Sequence, residues 1–195
     1  MQGYSLPKKA VIGEEEYGLH GDFRDVLEIF SYLEDPELPE FLRWRIAVAL
    51  FYDRPVPDAH LQEAMEYLAF FITAGQQERG MSRRLLDWQQ DAPMIMAEVN
   101  RVCHQEVRSL PFVHWWTFLG WFHTIGQGQL STVVAIRDKL QRGKKLEDWE
   151  RDFYRQNRKA VDLPKRYTSR ELRQRQELEA MLAGKGRTGD RICRE

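Results

Sequence analysis

Residues 111–125, PFVHWWTFLGWFHTI, constrain this chain more than any other stretch. They hold three of the six tryptophans, three of the ten phenylalanines and two of the five histidines. Placed on a helical wheel, Phe112, Trp116 and Leu119 fall on one side, with Trp115 and Phe122 beside them. Phe118, Trp121 and Ile125 carry the apolar surface round to the far side, leaving only a narrow strip at Thr117, Gly120 and Thr124. A helix apolar nearly all round is a buried one. This one is shorter than the roughly 20 apolar residues that span a bilayer. The pattern predicts a central core helix against which other helices pack.

The rest of the chain can supply such a core. It has 195 residues, 43% of them hydrophobic and 30% charged, which suits one domain with or without a tail. Cys103 and Cys193 are its two cysteines, too few and too far apart for a disulfide framework, so a reducing compartment is expected. The first residues lack the apolar run of a secretory signal, and no membrane span is expected. The net charge of −1 conceals polarity. Residues 137–195 carry 18 Lys/Arg against 11 Asp/Glu, whereas residues 1–136 carry 11 against 19. Because acids are interleaved with the bases, two complementary solvated faces are expected rather than a nucleic-acid surface.

Taken in order, Ala10–Ile12 and Tyr17–Leu19 flank a Gly-and-Glu turn and predict a small hairpin, which must lie against helices to be stable. Asp22 then caps a helix, with Asp25 three residues on and Phe23, Val26, Leu27, Phe30 and Leu33 at spacings of three and four. Pro36 and Pro39 break it. A second helix follows in FLRWRIAVALFY, and a third, capped by Asp58, runs to Gly75. Pro93 sits in the first turn of the next helix, where its missing N–H costs little. Ser109 and Pro111 open the aromatic helix, and Gly126 and Gly128 close it. Another helix reaches Gly143. Leu146, Trp149, Phe153 and Val161 then mark an amphipathic helix. Thr168 and Glu171 form a capping box for a last helix with few apolar contacts, Leu172, Leu178, Met181 and Leu182. This organisation divides the chain into a helical domain with hairpin over 1–163, an amphipathic extension over 164–183 and a disordered tail over 184–195.

Chemistry is sparse. Cys103, His104, His114 and His123 invite a metal reading, but nine helical steps place His114 and His123 on opposite sides, and no ligand spacing surrounds Cys103. There is no nucleophile elbow and no Gly-rich phosphate loop. Neither an enzyme, a cofactor nor a metal is expected. Tryptophans that stack on bases are exposed and flanked by Lys or Arg, yet none occurs between Leu110 and Val134. Asp22-Phe23-Arg24 admits two readings. Arg24 either pairs with a distant acid and pins the hairpin to the helices, or is a surface side chain at an ordinary helix start.

As an ordered set, LHGDFRDVLEIF, AVALFYDRPVP, EYLAFFITAG, DWQQDAPMIMAEV, HWWTFLGWF and VVAIRDKL with LEDWERDFYRQNRKAVDL resemble the bacteriophage gp-fifteen family of tailed phages and prophages. The likeness spans about Leu6 to Leu163. It marks Asp22, Phe23, Arg24, Asp91, His114, Trp115, Trp116 and Arg137 as motif positions, structural rather than catalytic. The chain departs from the family at MIMAEV and after Thr168. The resemblance implies a mainly α fold, a compact multi-helix bundle around the aromatic helix with a small N-terminal β-hairpin. It also implies a tail-assembly chaperone in the host cytoplasm, binding the long tape-measure protein or other tail proteins during virion morphogenesis and able to self-associate. The alternative is a structural head–tail or tail connector of the virion that contacts DNA through its basic C-terminal half.

Overall fold

The structure is a computed structural model and describes residues 5–76, 84–164, 167–171 and 173–174. The fold is mainly helical with one small hairpin, as the sequence predicts. Strands β1 (Lys9–Ile12) and β2 (Glu15–Gly18) pair antiparallel, Ala10 opposite Tyr17. Gly13, at φ +63°, makes the turn, a backbone conformation in which a side chain is strained. Two strands alone would be marginal. Here Ala10, Ile12 and Tyr17 are buried against the helices.

Helix α1 (Phe23–Leu33) buries Phe23, Val26 and Ile29, one turn apart, so a single face meets the core. Asp22 caps it through the Arg24 N–H. After the Pro36–Pro39 break, α2 (Glu40–Phe51) packs beside it. Arg43 in α2 donates to the Leu33 carbonyl, satisfying one of the carbonyls left open at the end of α1. Helix α3 (Leu61–Ile72) starts later than predicted. Residues 58–60 form a 3₁₀ turn, and Asp58 caps nothing but pairs with Arg45 at the surface. Gly75, at φ +73°, closes α3 as predicted by returning its N–H to Phe70.

Helix α4 (Ala92–Cys103) has Pro93 in its first turn and ends at His104 in the left-handed conformation. The aromatic helix α5 (Trp115–His123) is the main correction. It spans nine residues rather than the whole of 111–125. Residues 110–114 are extended and bond to the chain before α1. Ser109 closes a 3₁₀ turn, and Phe112, expected in the core, is 55% exposed. Trp115, Phe118 and Leu119 are buried, while Trp116, Trp121 and Phe122 are only half-buried. The sheath of helices expected around α5 is therefore one-sided.

Helix α6 (Gln129–Gln141) follows, its first turn held by the Ser131 hydroxyl, which accepts from the Gly128 N–H. The single amphipathic helix expected next is divided at Asn157 into α7 (Asp148–Gln156) and α8 (Arg158–Val161). Trp149 points outward at 60% exposure. Glu150 takes the inner place instead, accepting both from Lys139 and from the Glu147 N–H. Val133, Ile136, Leu146 and Val161 make a small second core, joined to the main one through Met94. The Thr168–Glu171 capping box is formed in both directions. The rest of the predicted last helix and the predicted tail lie largely outside the described residues.

Candidate functional site

The eight motif positions gather into two assemblies, neither of which sequence spacing alone could join. The first is a junction where four chain segments meet. Residues 18–23 run between the end of α2 and the approach to α5. Asp53 donates its N–H to Gly18, His20 donates to Phe51, Phe23 to Val113, and Trp115 to Gly21. Asp22, buried here, accepts from the Val113 N–H at 2.8 Å, from the Arg24 N–H at 3.0 Å, and from the Arg24 guanidinium at 2.7 Å and 3.0 Å. Burial pushes its carboxyl up, but the hydrogen bonds from Arg24 and Val113 outweigh that and hold it below the ordinary carboxylate range.

Arg24 resolves its two readings in a third way. It pairs with Asp22 in its own helix cap rather than with a distant acid. Its guanidinium also donates to the carbonyls of Leu110 and Pro111, at 3.0 Å and 3.3 Å. It therefore fastens the approach to α5, not the hairpin, onto α1. Phe23 completes the triplet by stacking on Phe118, ring centroids 4.7 Å apart.

His114 and the two tryptophans close the junction. His114 is the N-cap of α5, its Nδ1 accepting the Trp116 N–H at 3.1 Å. Since a backbone N–H can only donate, Nδ1 is unprotonated, and Nε2–H donates to the Pro7 carbonyl at 3.0 Å. Burial pulls the His114 pKa down, and the bond to Pro7 only partly opposes it. The indole N–H of Trp115 donates to the Ile72 carbonyl and that of Trp116 to the Phe71 carbonyl, each at 2.8 Å. These carbonyls belong to the last turn of α3, where a helix leaves its acceptors without intrahelical partners. Adjacent tryptophans thus cap one helix while beginning another.

The second assembly is a buried ion pair. Arg137 on α6 and Asp91 before α4 are almost wholly enclosed and meet in two hydrogen bonds of 2.6 Å and 2.8 Å. The remaining guanidinium N–H groups donate to the carbonyls of Leu85, Ala160 and Val161. All five donors of the guanidinium are thereby used. Asp91 also accepts the Asp87 N–H at 2.9 Å. Gln90, which the motif pattern did not single out, donates its amide to carbonyls at Lys159, Ala160 and Asp162. The sequence marks Asp91 and Arg137 as motif positions but gives no sign that they pair with each other.

The candidate metal residues are scattered. His114 has both ring nitrogens engaged, His123 is exposed in the last turn of α5, and the Cys103 thiol faces the carbonyls of Asn100 and Gln105. Since His114 precedes the helix, the opposite-sides argument does not apply as framed. Among the described residues, no three His, Cys, Asp or Glu side chains gather closely enough to hold an ion. No described helix is long and apolar enough to cross a membrane.

What the junction presents outward is apolar. Rings follow one another from Tyr67 through Phe70, Trp116 and His114 to Phe112, with successive centroids 5.8–6.5 Å apart. Phe70, at 47% exposure, meets the half-buried Trp116, and Phe112, at 55%, meets the buried His114 ring that lies against Trp116. The motif residues therefore shape a surface ridge from below, and its outermost rings carry no motif mark.

The family described as Bacteriophage Gp15 protein matches residues 5–163. The chain belongs to that family. No curated protein and no solved structure matches the chain. In this Gp15-family protein the matched region stops at Leu163, directly after the α8 turn that Arg137 and Gln90 hold. Both motif assemblies lie wholly inside it.

Proposed function

We propose that this phage protein is a tail-assembly chaperone that binds helical segments of the tape-measure protein in the host cytoplasm until the tail tube forms. The observation that carries the reading is the aromatic ridge Tyr67–Phe70–Trp116–Phe112, whose outer rings stay half exposed on a rigid base. Large exposed aromatic side chains on a small charged protein mark a contact surface. An amphipathic helix laid along such a surface would be held by residues on one face, at spacings of three and four. Membership of a phage family supports the setting. The polar groups of the motif support it too, because each is engaged in joining chain segments rather than directed at a small molecule.

The connector alternative draws less support. The basic C-terminal half supplies its own counter-charges: Lys139 pairs with Glu150, Arg142 with Asp138, Arg155 with Asp152 and Arg158 with Asp162. Among the described residues, the cations held in such pairs are less available to phosphates.

Co-expression with tape-measure fragments tests the proposal. The protein should co-purify with them, and Phe70→Asp with Phe112→Asp should abolish capture without lowering the melting temperature by more than a few degrees, since both rings are at the surface. Mature particles should lack the protein. Its presence in purified virions in fixed stoichiometry would overturn the chaperone reading.

A further inference from the structure

Helix α2 carries an apolar face that the fold leaves open. Nine of its twelve residues are apolar, a composition that marks a helix buried on most sides. Yet its buried residues are Ala47, Val48 and Phe51 alone, and it packs on α1 and α3. Phe41, Leu42, Arg45, Ile46 and Ala49 share an arc of about 140° on a helical wheel, turned away from those three. Phe41 is 58% exposed and Leu42 44%, Ala49 is exposed and Ile46 is half-buried. Single apolar side chains scattered over a surface are ordinary, but these stand one turn apart on one face. The only charge among them, Arg45, lies over the Phe41 ring at 5.4 Å and pairs with Asp58 at 2.8 Å. Among the described residues, no element covers this face.

We infer that the α2 face formed by Phe41, Leu42, Arg45 and Ala49 binds the same face of a second copy of this chain, the two helices antiparallel about a twofold axis near Arg45. Shape and charge select that occupant. A twofold interface uses one patch twice, so the patch must be its own complement. Along α2 the bulky Phe41 and Leu42 stand at one end, and the small Ala49 stands two turns away at the other. Rotation about a midway axis sets each Phe41 over Ala49 of the other copy, where a small side chain lets the ring seat close to the opposing backbone. Arg45, nearest the axis, would meet its own copy as a like charge. Asp58 neutralises it, and the same rotation sets the two Arg45–Asp58 pairs antiparallel, each cation toward the other copy's acid. Size sets the strength. Five residues on one helix cover well under the roughly 800 Å² per partner of a stable complex, so the dimer forms and parts with concentration. The inference stands apart from the proposed function, since the ridge draws on α3, α5 and the approach to α5, not on α2.

Sedimentation equilibrium of the full-length protein over a hundredfold range of concentration tests the dimer. The mean mass should rise from one copy toward two, and Phe41→Glu should weaken association at least tenfold. That variant changes an exposed side chain, so its melting temperature should stay within a few degrees. Orientation is read by oxidising the Phe41→Cys and Ala49→Cys proteins together and mapping the disulfides, which separates bonds made through Cys103 or Cys193. Bonds from residue 41 to residue 49 should exceed those between like positions. Antiparallel pairing parts like positions by about 12 Å along the axis, beyond the disulfide reach of about 7 Å. Three results overturn the inference: a monomer at every concentration, a dimer that Phe41→Glu leaves intact, or mixed bonds no more frequent than like ones.

Discussion

At the scale of single residues, Trp115 and Trp116 look alike in sequence and do different work. Trp115 is buried to the ring, stacked against Phe118 and tilted against Phe30. Trp116 is only half-buried. Trp115→Ala should cost about 3–5 kcal/mol, as large-to-small core changes do, and Trp116→Ala roughly half as much, because less buried area is lost. Chemical denaturation of the two variants checks the difference. His114 adds a pH dependence. Its native pKa is lowered, so the unfolded chain takes up a proton first as pH falls. Stability is fully present above the unfolded value of about 6.5 and declines as pH drops below it toward the native pKa. A melting-temperature profile from pH 8 to 5 should show this fall, and His114→Gln should flatten it. Asp22, held below its ordinary range, contributes stability that is lost only in stronger acid, as pH falls through its native pKa.

At the scale of elements, the Asp91–Arg137 pair decides how α6 and α8 meet the start of α4. The guanidinium spans three segments, and among the described residues the second core beneath it contains four buried hydrophobic residues. Removing one partner leaves a buried, unpaired charge. Arg137→Met should therefore destabilise by about 3–5 kcal/mol. Joining it to Asp91→Leu should recover part of that loss, because both charges are then gone, and the two effects should be far from additive. A double-mutant cycle measured by urea denaturation checks it. The carbonyls of Leu85 and Val161 would lose the Arg137 N–H in both variants, so recovery should be incomplete.

At the scale of the whole molecule, the matched region ends at residue 163, just after α8. Truncation after Leu163 removes the Arg84–Pro164 bond and the Ser169–Glu37 contact, both at the surface. The truncated protein should fold, with a melting temperature within a few degrees of the full chain, since surface contacts of this kind contribute little. Calorimetry on the two proteins checks it; a large loss would make the extension part of the fold.

Much of this molecule is written locally. The hairpin, the Pro36–Pro39 break, the Gly75 stop, Pro93 in the first turn and the Thr168–Glu171 box are decided by residues within a few positions of one another, so they were legible in the sequence. So was the buried character of Trp115 and Phe118. The extent of α5 was not. Helical periodicity treats 111–125 as one apolar cylinder, whereas His114 starts the helix by capping it, and the backbones of Val113 and Trp115 bond to those of Phe23 and Gly21. Those partners lie roughly ninety positions away, a distance no periodicity senses. Trp149 fails for a related reason: Glu150 is drawn inward by Lys139 and the Glu147 N–H, and the helix turns the indole out. The motif residues could be named from the chain, but not their assignments. That Arg24 holds Leu110, that two indoles cap α3 and that Arg137 fastens α8 depend on which carbonyls are left open when helices end. Such acceptors exist only once the helices are packed, because a carbonyl in the unfolded chain is satisfied by water.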